Sequence, residues 1–171
     1  ITQTRPGELF IHRNLANLVY SDDDNLMADL QHAVDDLKVA HIILCGIYGC
    51  NGMGAVLNGD ATGHMHSWLR ALREVYEENR LEIDSIEDPL DRQNRLAELN
   101  VREQLRRLSQ LDTVRAALER GQDLTLHGWI YDLSNGRLTE LFEVEPVSET
   151  SGFAMPLQDV PQMEDHLAVA E

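Results

Sequence analysis

The chain has 171 residues and a formal net charge of −16, from 14 Lys and Arg against 30 Asp and Glu. That length suits one domain, and 43% hydrophobic with 26% charged residues supplies apolar surface that a disordered chain lacks. The charge argues against nucleic acid or an anionic membrane as partner, because binding phosphate needs clustered Lys and Arg and the only lysine is Lys38. Two cysteines, Cys45 and Cys50, make no disulfide framework, and no apolar run approaches the ~18 residues of a spanning helix. A soluble, cytoplasmic protein is expected. The chain begins at Ile1 without an initiator Met or the features of a signal peptide, which reads as a processed chain or a piece of a longer one.

In chain order, Glu8 to His12 (ELFIH) is a short apolar run after the Pro6-Gly7 turn and suits a buried strand. From Asn25 to Lys38, Leu26, Leu30, Ala33, Val34 and Leu37 recur at helical spacing, with Asp22 to Asp24 as capping carboxylates. His41 to Gly46 is a run rich in β-branched residues without alternation, as in a parallel strand covered on both faces. Strand, helix and strand make a βαβ unit. Asn51 to Asn58 predicts a short helix and His64 to Asn79 a longer one that buries Trp68, Leu69, Leu72, Val75 and Tyr76.

Pro89 sits in the first turn of a helix running to Leu108, and Asp112 opens another that stops at Gly121. Leu124 to Tyr131 and Leu138 to Val144 predict strands joined by a Ser134-Asn135-Gly136 turn. The expected fold is α/β, with a mixed, mainly parallel sheet flanked by helices over residues 1–145. Residues 146–171 form an acidic tail rich in turn-forming residues.

The densest chemical signal is Cys45-Gly46-Ile47-Tyr48-Gly49-Cys50-Asn51-Gly52, at the C-terminal end of a parallel strand where open α/β sheets place ligand sites. Two readings stand. The glycines let backbone N–H groups approach a ligand beside the thiols, or they make a tight strand-to-helix turn with Cys45 as a strand residue. Cys-x4-Cys alone is a weak metal pattern. His127-Gly128-Trp129 reads as core packing. Arg102, Arg106 and Arg107 share a helix with Glu98 and Glu103, which reads as a solvated face of weak ion pairs.

Five colinear blocks carry a resemblance. They are Pro6 to Val19 (PGELFIHRNLANLV), Gln31 to Val39, the CGIYGCNGM segment, Ala97 to Val101 with Glu103-Gln104, and His127 to Tyr131. In order and spacing they resemble the β-class carbonic anhydrases. The resemblance implies a zinc cofactor, interconversion of CO2 and bicarbonate, and pairing into homodimers or larger homo-oligomers, with a related subunit as another partner. It also assigns Cys50 as a zinc ligand, because the family block reads Cys-Gly-His-Tyr-Gly-Cys.

The family's histidine ligand is replaced here by Ile47, which has no donor atom. The other ligand cysteine of the family lies in a Cys-x-Asp-x-Arg block upstream of the Pro-Gly-Glu-Leu-Phe segment, a block not contained in these residues. The expectation is a family member with an incomplete zinc site, zinc absent or weakly bound, activity impaired or lost, and a structural, regulatory or bicarbonate-binding role. The alternative is an active zinc enzyme completed by upstream residues or a substitute ligand. His64, His66 and Cys45 are the substitutes to weigh, although histidines two apart on a helix point away from each other.

In one subgroup of the family, residues matching Arg13 and Tyr131 bind bicarbonate away from the catalytic site, and an arginine fork suits a planar oxyanion. The alternative for Arg13 is pairing with a carboxylate of this acidic chain.

Overall fold

One mixed sheet of three strands organises the computed structural model, which describes residues 4–144. Strand β1 (His41–Ile47) pairs in parallel with β2 (Thr125–Asp132), and β2 pairs antiparallel with β3 (Arg137–Val144). The fold is mixed α/β. The β2–β3 turn is local chemistry: the Asp132 carboxylate accepts from Ser134 N at 2.8 Å, Ser134 Oγ at 2.7 Å and Asn135 Nδ2 at 2.6 Å. Gly136 then takes φ +74°, a conformation that glycine adopts without steric cost.

Two strand expectations need correction. Residues Glu8 to His12 are not a strand; Leu9, Phe10 and Ile11 are exposed, at 42%, 46% and 67%. Among the described residues no strand pairs with them, so the backbone forms no ladder. The segment lies instead against the end of the first helical stretch, with Phe10 edge-on to the His32 ring at 5.6 Å and His12 Nδ1 2.8 Å from Asp29 Oδ2. The parallel partner of β1 is instead β2, reached through the intervening helices. Nor is β1 covered on both faces. Leu44 and Gly46 are buried, whereas His41, Ile43, Cys45 and Ile47 alternate with them on an open face.

Helix α1 (Asp24–Gln31) is capped by Asp23, whose carboxylate accepts from Asn25 N and Leu26 N, and it runs into a wider turn over His32–Asp36. Helix α2 (Asn51–Asn58) has the expected bounds. The helix expected from His64 to Asn79 breaks at fully buried Leu69 into α3 (Gly63–Trp68) and α4 (Arg70–Glu78). A further short helix, α5 (Arg80–Ser85), has no clear sequence mark. Asp88 caps α6 (Pro89–Ser109) by accepting from Leu90 N at 2.8 Å and Asp91 N at 3.0 Å, and α7 (Asp112–Glu119) follows. The expected tail at 146–171 lies outside the described residues.

Helix α6 is the spine of the core. It buries Leu96, Leu99, Val101, Leu105 and Leu108, and packs against the covered face of the sheet. Two strand glycines permit this approach. A Cβ on Gly46 would lie 2.6 Å from Val101 Cγ2 and 2.8 Å from Ile130 Cδ1; one on Gly128 would lie 3.0 Å from Val101 Cγ1 and 3.1 Å from Phe142 Cδ2.

The helix also carries buried polar groups, all partnered. Asn100 Nδ2 donates to the Ala16 carbonyl at 2.9 Å, Gln104 Nε2 donates to Asn100 Oδ1 at 3.1 Å, and Val19 N donates to Gln104 Oε1 at 2.9 Å. These bonds anchor a segment in which Ala16 (φ +64°) and Asn17 (φ +46°) adopt left-handed backbone. Removing either side chain would leave a buried partner unsatisfied, a cost of about 1–3 kcal/mol.

Glu98 corrects the expectation of a solvated face, because it is 1% exposed and neutralised by Arg95, whose Nη1 donates to Glu98 Oε2 at 2.9 Å. Glu103 fits that expectation better, bridging Arg106 at 2.7 Å and Arg107 at 2.9 Å. Burial by itself raises the Glu103 carboxyl, but the two arginines outweigh it and hold the group below its ordinary 4.5. A depressed carboxylate stabilises the fold above its unfolded value and loses that contribution as pH falls through the folded one. Thermal melts below pH 4.5 are therefore expected to fall less steeply for Glu103→Gln than for the parent protein. Parallel slopes would contradict the bridging role.

Candidate metal centre

Strand β1 ends at Ile47, and the chain turns through Tyr48 and Gly49 into α2, with Cys50 at its N-cap. Helix α6 and strand β2 hold this turn. Gly49 N donates to Asn94 Oδ1 at 3.0 Å, Gln93 Nε2 donates to the Cys50 carbonyl, and Tyr48 N donates to the Tyr131 carbonyl at 3.0 Å. The Tyr48 hydroxyl donates to Glu98 Oε1 at 2.6 Å. Burial first, and then the Glu98 hydrogen bond and charge, push the Tyr48 phenol well above its ordinary 10, so it remains a neutral donor. Helix α6 thus supports the turn through Gln93, Asn94 and, from the Ala97 to Gln104 block, Glu98.

Cys50 is buried at 6% exposure with its thiol free. Ile47, 36% exposed, sits opposite Tyr131 in the parallel ladder. Cys45 lies on the open face opposite Trp129; partial burial of its sulfur raises the thiol, which donates weakly to the Gly46 carbonyl at 3.3 Å. His64 and His66 are exposed on α3. Beside the turn is a cleft of about 250 Å³ lined by Tyr48, Gly49, Leu90, Asn94, Asp132 and Leu133, with neither Cys50 nor Ile47 in its wall.

A tetrahedral zinc site takes four ligands, three or four of them from the protein. At this position Cys50 brings one donor and Ile47 none. Among the described residues no group of three His, Cys, Asp or Glu donors includes Cys50, Cys45, His64 or His66. The described residues alone therefore do not fit zinc here.

Arg13 is exposed on the extended segment before the Leu15–Asn17 turn, and forms no hydrogen bond or ion pair with another described residue. Tyr131 is half-buried near the end of β2. No hydrogen bond joins the two, so the structure leaves them on separate elements. Nearby, Asn17 Nδ2 is buried without a partner among the described residues.

The reading of His127-Gly128-Trp129 as core is corrected in part. Gly128 is buried beneath α6, but His127 and Trp129 occupy the opposite face, where both bond Glu140 Oε1. Alternation along β2 separates them from the core residues on either side. Their partners on β3 are the polar groups that the sequence reading missed.

The chain matches the family model described as carbonic anhydrase over residues 1–138. It is 42% identical to a carbonic anhydrase of Emericella nidulans over 135 residues, 79% of this chain and 59% of that protein. It is 34% identical to one from Candida albicans, over 81% of this chain and 50% of that protein. A Coccomyxa β-carbonic anhydrase in complex with acetazolamide superposes with a TM-score of 0.77 at 35% identity, covering 86% of this chain and 64% of that one. A tetrameric β-carbonic anhydrase of Sordaria macrospora gives a TM-score of 0.75 at 40% identity, covering 80% of this chain and 70% of that one.

The chain belongs to the β-carbonic anhydrase family, whose enzymes use zinc. It spans between half and three fifths of the length of the two curated relatives just described. No described helix is long and apolar enough to cross a membrane.

Proposed function

We propose that this chain is a β-carbonic anhydrase-family protein with an incomplete zinc site, in which CO2 hydration is impaired or absent. Its role is then structural, regulatory or bicarbonate-binding. The observation that carries this reading is Ile47, an aliphatic side chain three positions from Cys50 where the family motif places a histidine ligand. When bound in such enzymes, zinc lowers the pKa of a water to about 7 and so supplies hydroxide at neutral pH. One thiolate does not secure an ion for that purpose.

This chain's own residues still build a rigid turn around Cys50, with Asn94, Gln93 and Glu98 fixing its backbone and the Tyr48 ring. Loss of a ligand leaves that scaffold intact, consistent with a fold retained for binding or assembly. Exposed Arg13 offers a guanidinium fork to a planar oxyanion such as bicarbonate. The tetrameric Sordaria macrospora relative supports self-association of this chain as a homo-oligomer.

The test is metal analysis of the purified full-length protein alongside a stopped-flow CO2 hydration assay. Substoichiometric zinc at the Cys50 centre and hydration at the buffer background are expected. Zinc that is lost on Cys50→Ser, together with hydration above background, would establish the active-enzyme reading instead.

A further inference from the structure

We propose that the open face of the sheet carries a separate divalent-metal site, with His127, Glu140 and Glu143 as ligands for an ion of borderline softness such as Zn²⁺. One donor atom from each of these residues lies within 4.8 Å of the others. His127 Nδ1 is 2.7 Å from Glu140 Oε1 and 3.5 Å from Glu143 Oε2.

The backbone assembles this set through an irregularity. In a regular strand, residues 140 and 143 would point to opposite faces of the sheet. Here the β2–β3 register shifts between Gly128 and Trp129, so Glu143 stands opposite His127 while Glu140 stands opposite Trp129. The extra residue, Leu141, is taken up as a bulge. Both carboxylates consequently reach the face occupied by His127, and bulges commonly re-aim side chains in this way.

A supporting shell is also present. His41 Nδ1 lies 3.1 Å from His127 Nε2, so the ring nitrogen that does not face the carboxylates has its own partner. Trp129 Nε1 donates to Glu140 Oε1 at 3.0 Å and orients that carboxylate. Metal-binding imidazoles and carboxylates are ordinarily fixed by such outer contacts. No Lys or Arg pairs with Glu140 or Glu143 among the described residues; the ion-pair partner of both is His127. The two carboxylates thus concentrate negative charge around one imidazole.

One nitrogen and two carboxylate oxygens suit Zn²⁺ or Mn²⁺ better than a soft ion, and three protein ligands leave a position for water. This centre is distinct from the Cys50 turn: His127 is in register with Ile43, whereas Ile47 at the end of β1 is in register with Tyr131.

The test uses Zn²⁺ alone, measured by equilibrium dialysis on full-length Cys50→Ser protein so that the thiol does not contribute. One Zn²⁺ per chain is expected, and Glu143→Gln or Glu140→Gln in that background is expected to weaken binding at least about tenfold. Circular dichroism verifies that each variant is folded. Exposed Glu143 provides the safer variant, since its replacement leaves the Trp129–Glu140 bond in place. Failure of the Cys50→Ser protein to bind Zn²⁺, or equal affinity with and without the Glu143 carboxylate in folded protein, would overturn the proposal.

Discussion

Gly46→Val is expected to destabilise the protein by about 3 kcal/mol, lowering its melting temperature by roughly 10 °C. The cause is a close approach rather than backbone strain. A Cβ at position 46 meets Val101 Cγ2 at 2.6 Å and Ile130 Cδ1 at 2.8 Å, both on fully buried residues, and valine adds two further methyl groups. The core has little room to yield, because α6 is tied to the chain around Ala16 and Val19 by Asn100 and Gln104.

A thermal or urea denaturation series checks this with Gly46→Ala, Val101→Ala, their combination and Gly54→Ala. Val101→Ala removes the nearer obstruction, so adding Gly46→Ala to it should cost less than adding Gly46→Ala to the parent protein. Gly54→Ala, inside α2, is the contrast: the three atoms nearest its Cβ all belong to the Gln93 side chain, at 3.7 to 3.8 Å, an ordinary van der Waals distance. There the gain in helix propensity predicts unchanged or slightly raised stability. Similar losses at positions 46 and 54 would remove the packing explanation.

The elements written by local chemistry were legible in the sequence, and those that depend on a distant partner were not. Helix α2, the Asp88-capped α6 and the β2–β3 turn each carry their signals within a few residues. The apolar run at 8–12 has strand composition, but pairing is a property of two segments, and no second strand pairs with it among the described residues. For β1, an unbroken apolar run suggested cover on both faces, yet Ile43 and Ile47 remain exposed. Glu98 looked like a surface charge because Arg95, three residues earlier on the same helix, reads as an ordinary surface pair, and its buried partner Tyr48 comes from a turn 50 residues away.

The same distinction applies to the two candidate centres. Cys50 and Ile47 were legible because one short motif contains both, with the resemblance indicating what each position carries. The His127, Glu140 and Glu143 group was not, since strict alternation assigns Glu140 and Glu143 to different faces. Only the register shift opposite Gly128 and Trp129 brings them together.

Ile47→His is expected to raise zinc affinity at the Cys50 centre at least about tenfold, the range associated with gaining or losing a supporting group around a bound metal. The measurement belongs in a Glu143→Gln background, which weakens the proposed open-face site and so limits its share of the bound zinc. Position 47 tolerates the change: it is 36% exposed at the end of β1, where substitutions ordinarily alter stability by about 0.5 kcal/mol or less. The new imidazole and Cys50 would sit on a turn already ordered by Asn94, Gln93 and Tyr48, so little conformational freedom remains to be lost on binding. Co²⁺ gives an independent readout, because a thiolate ligand produces an intense near-ultraviolet band. That band is expected to strengthen in Ile47→His and to vanish when Cys50→Ser is added. A gain that survives Cys50→Ser would place the ion elsewhere. Unchanged affinity would mean that the loss at this centre extends beyond position 47, and that a single imidazole does not rebuild it.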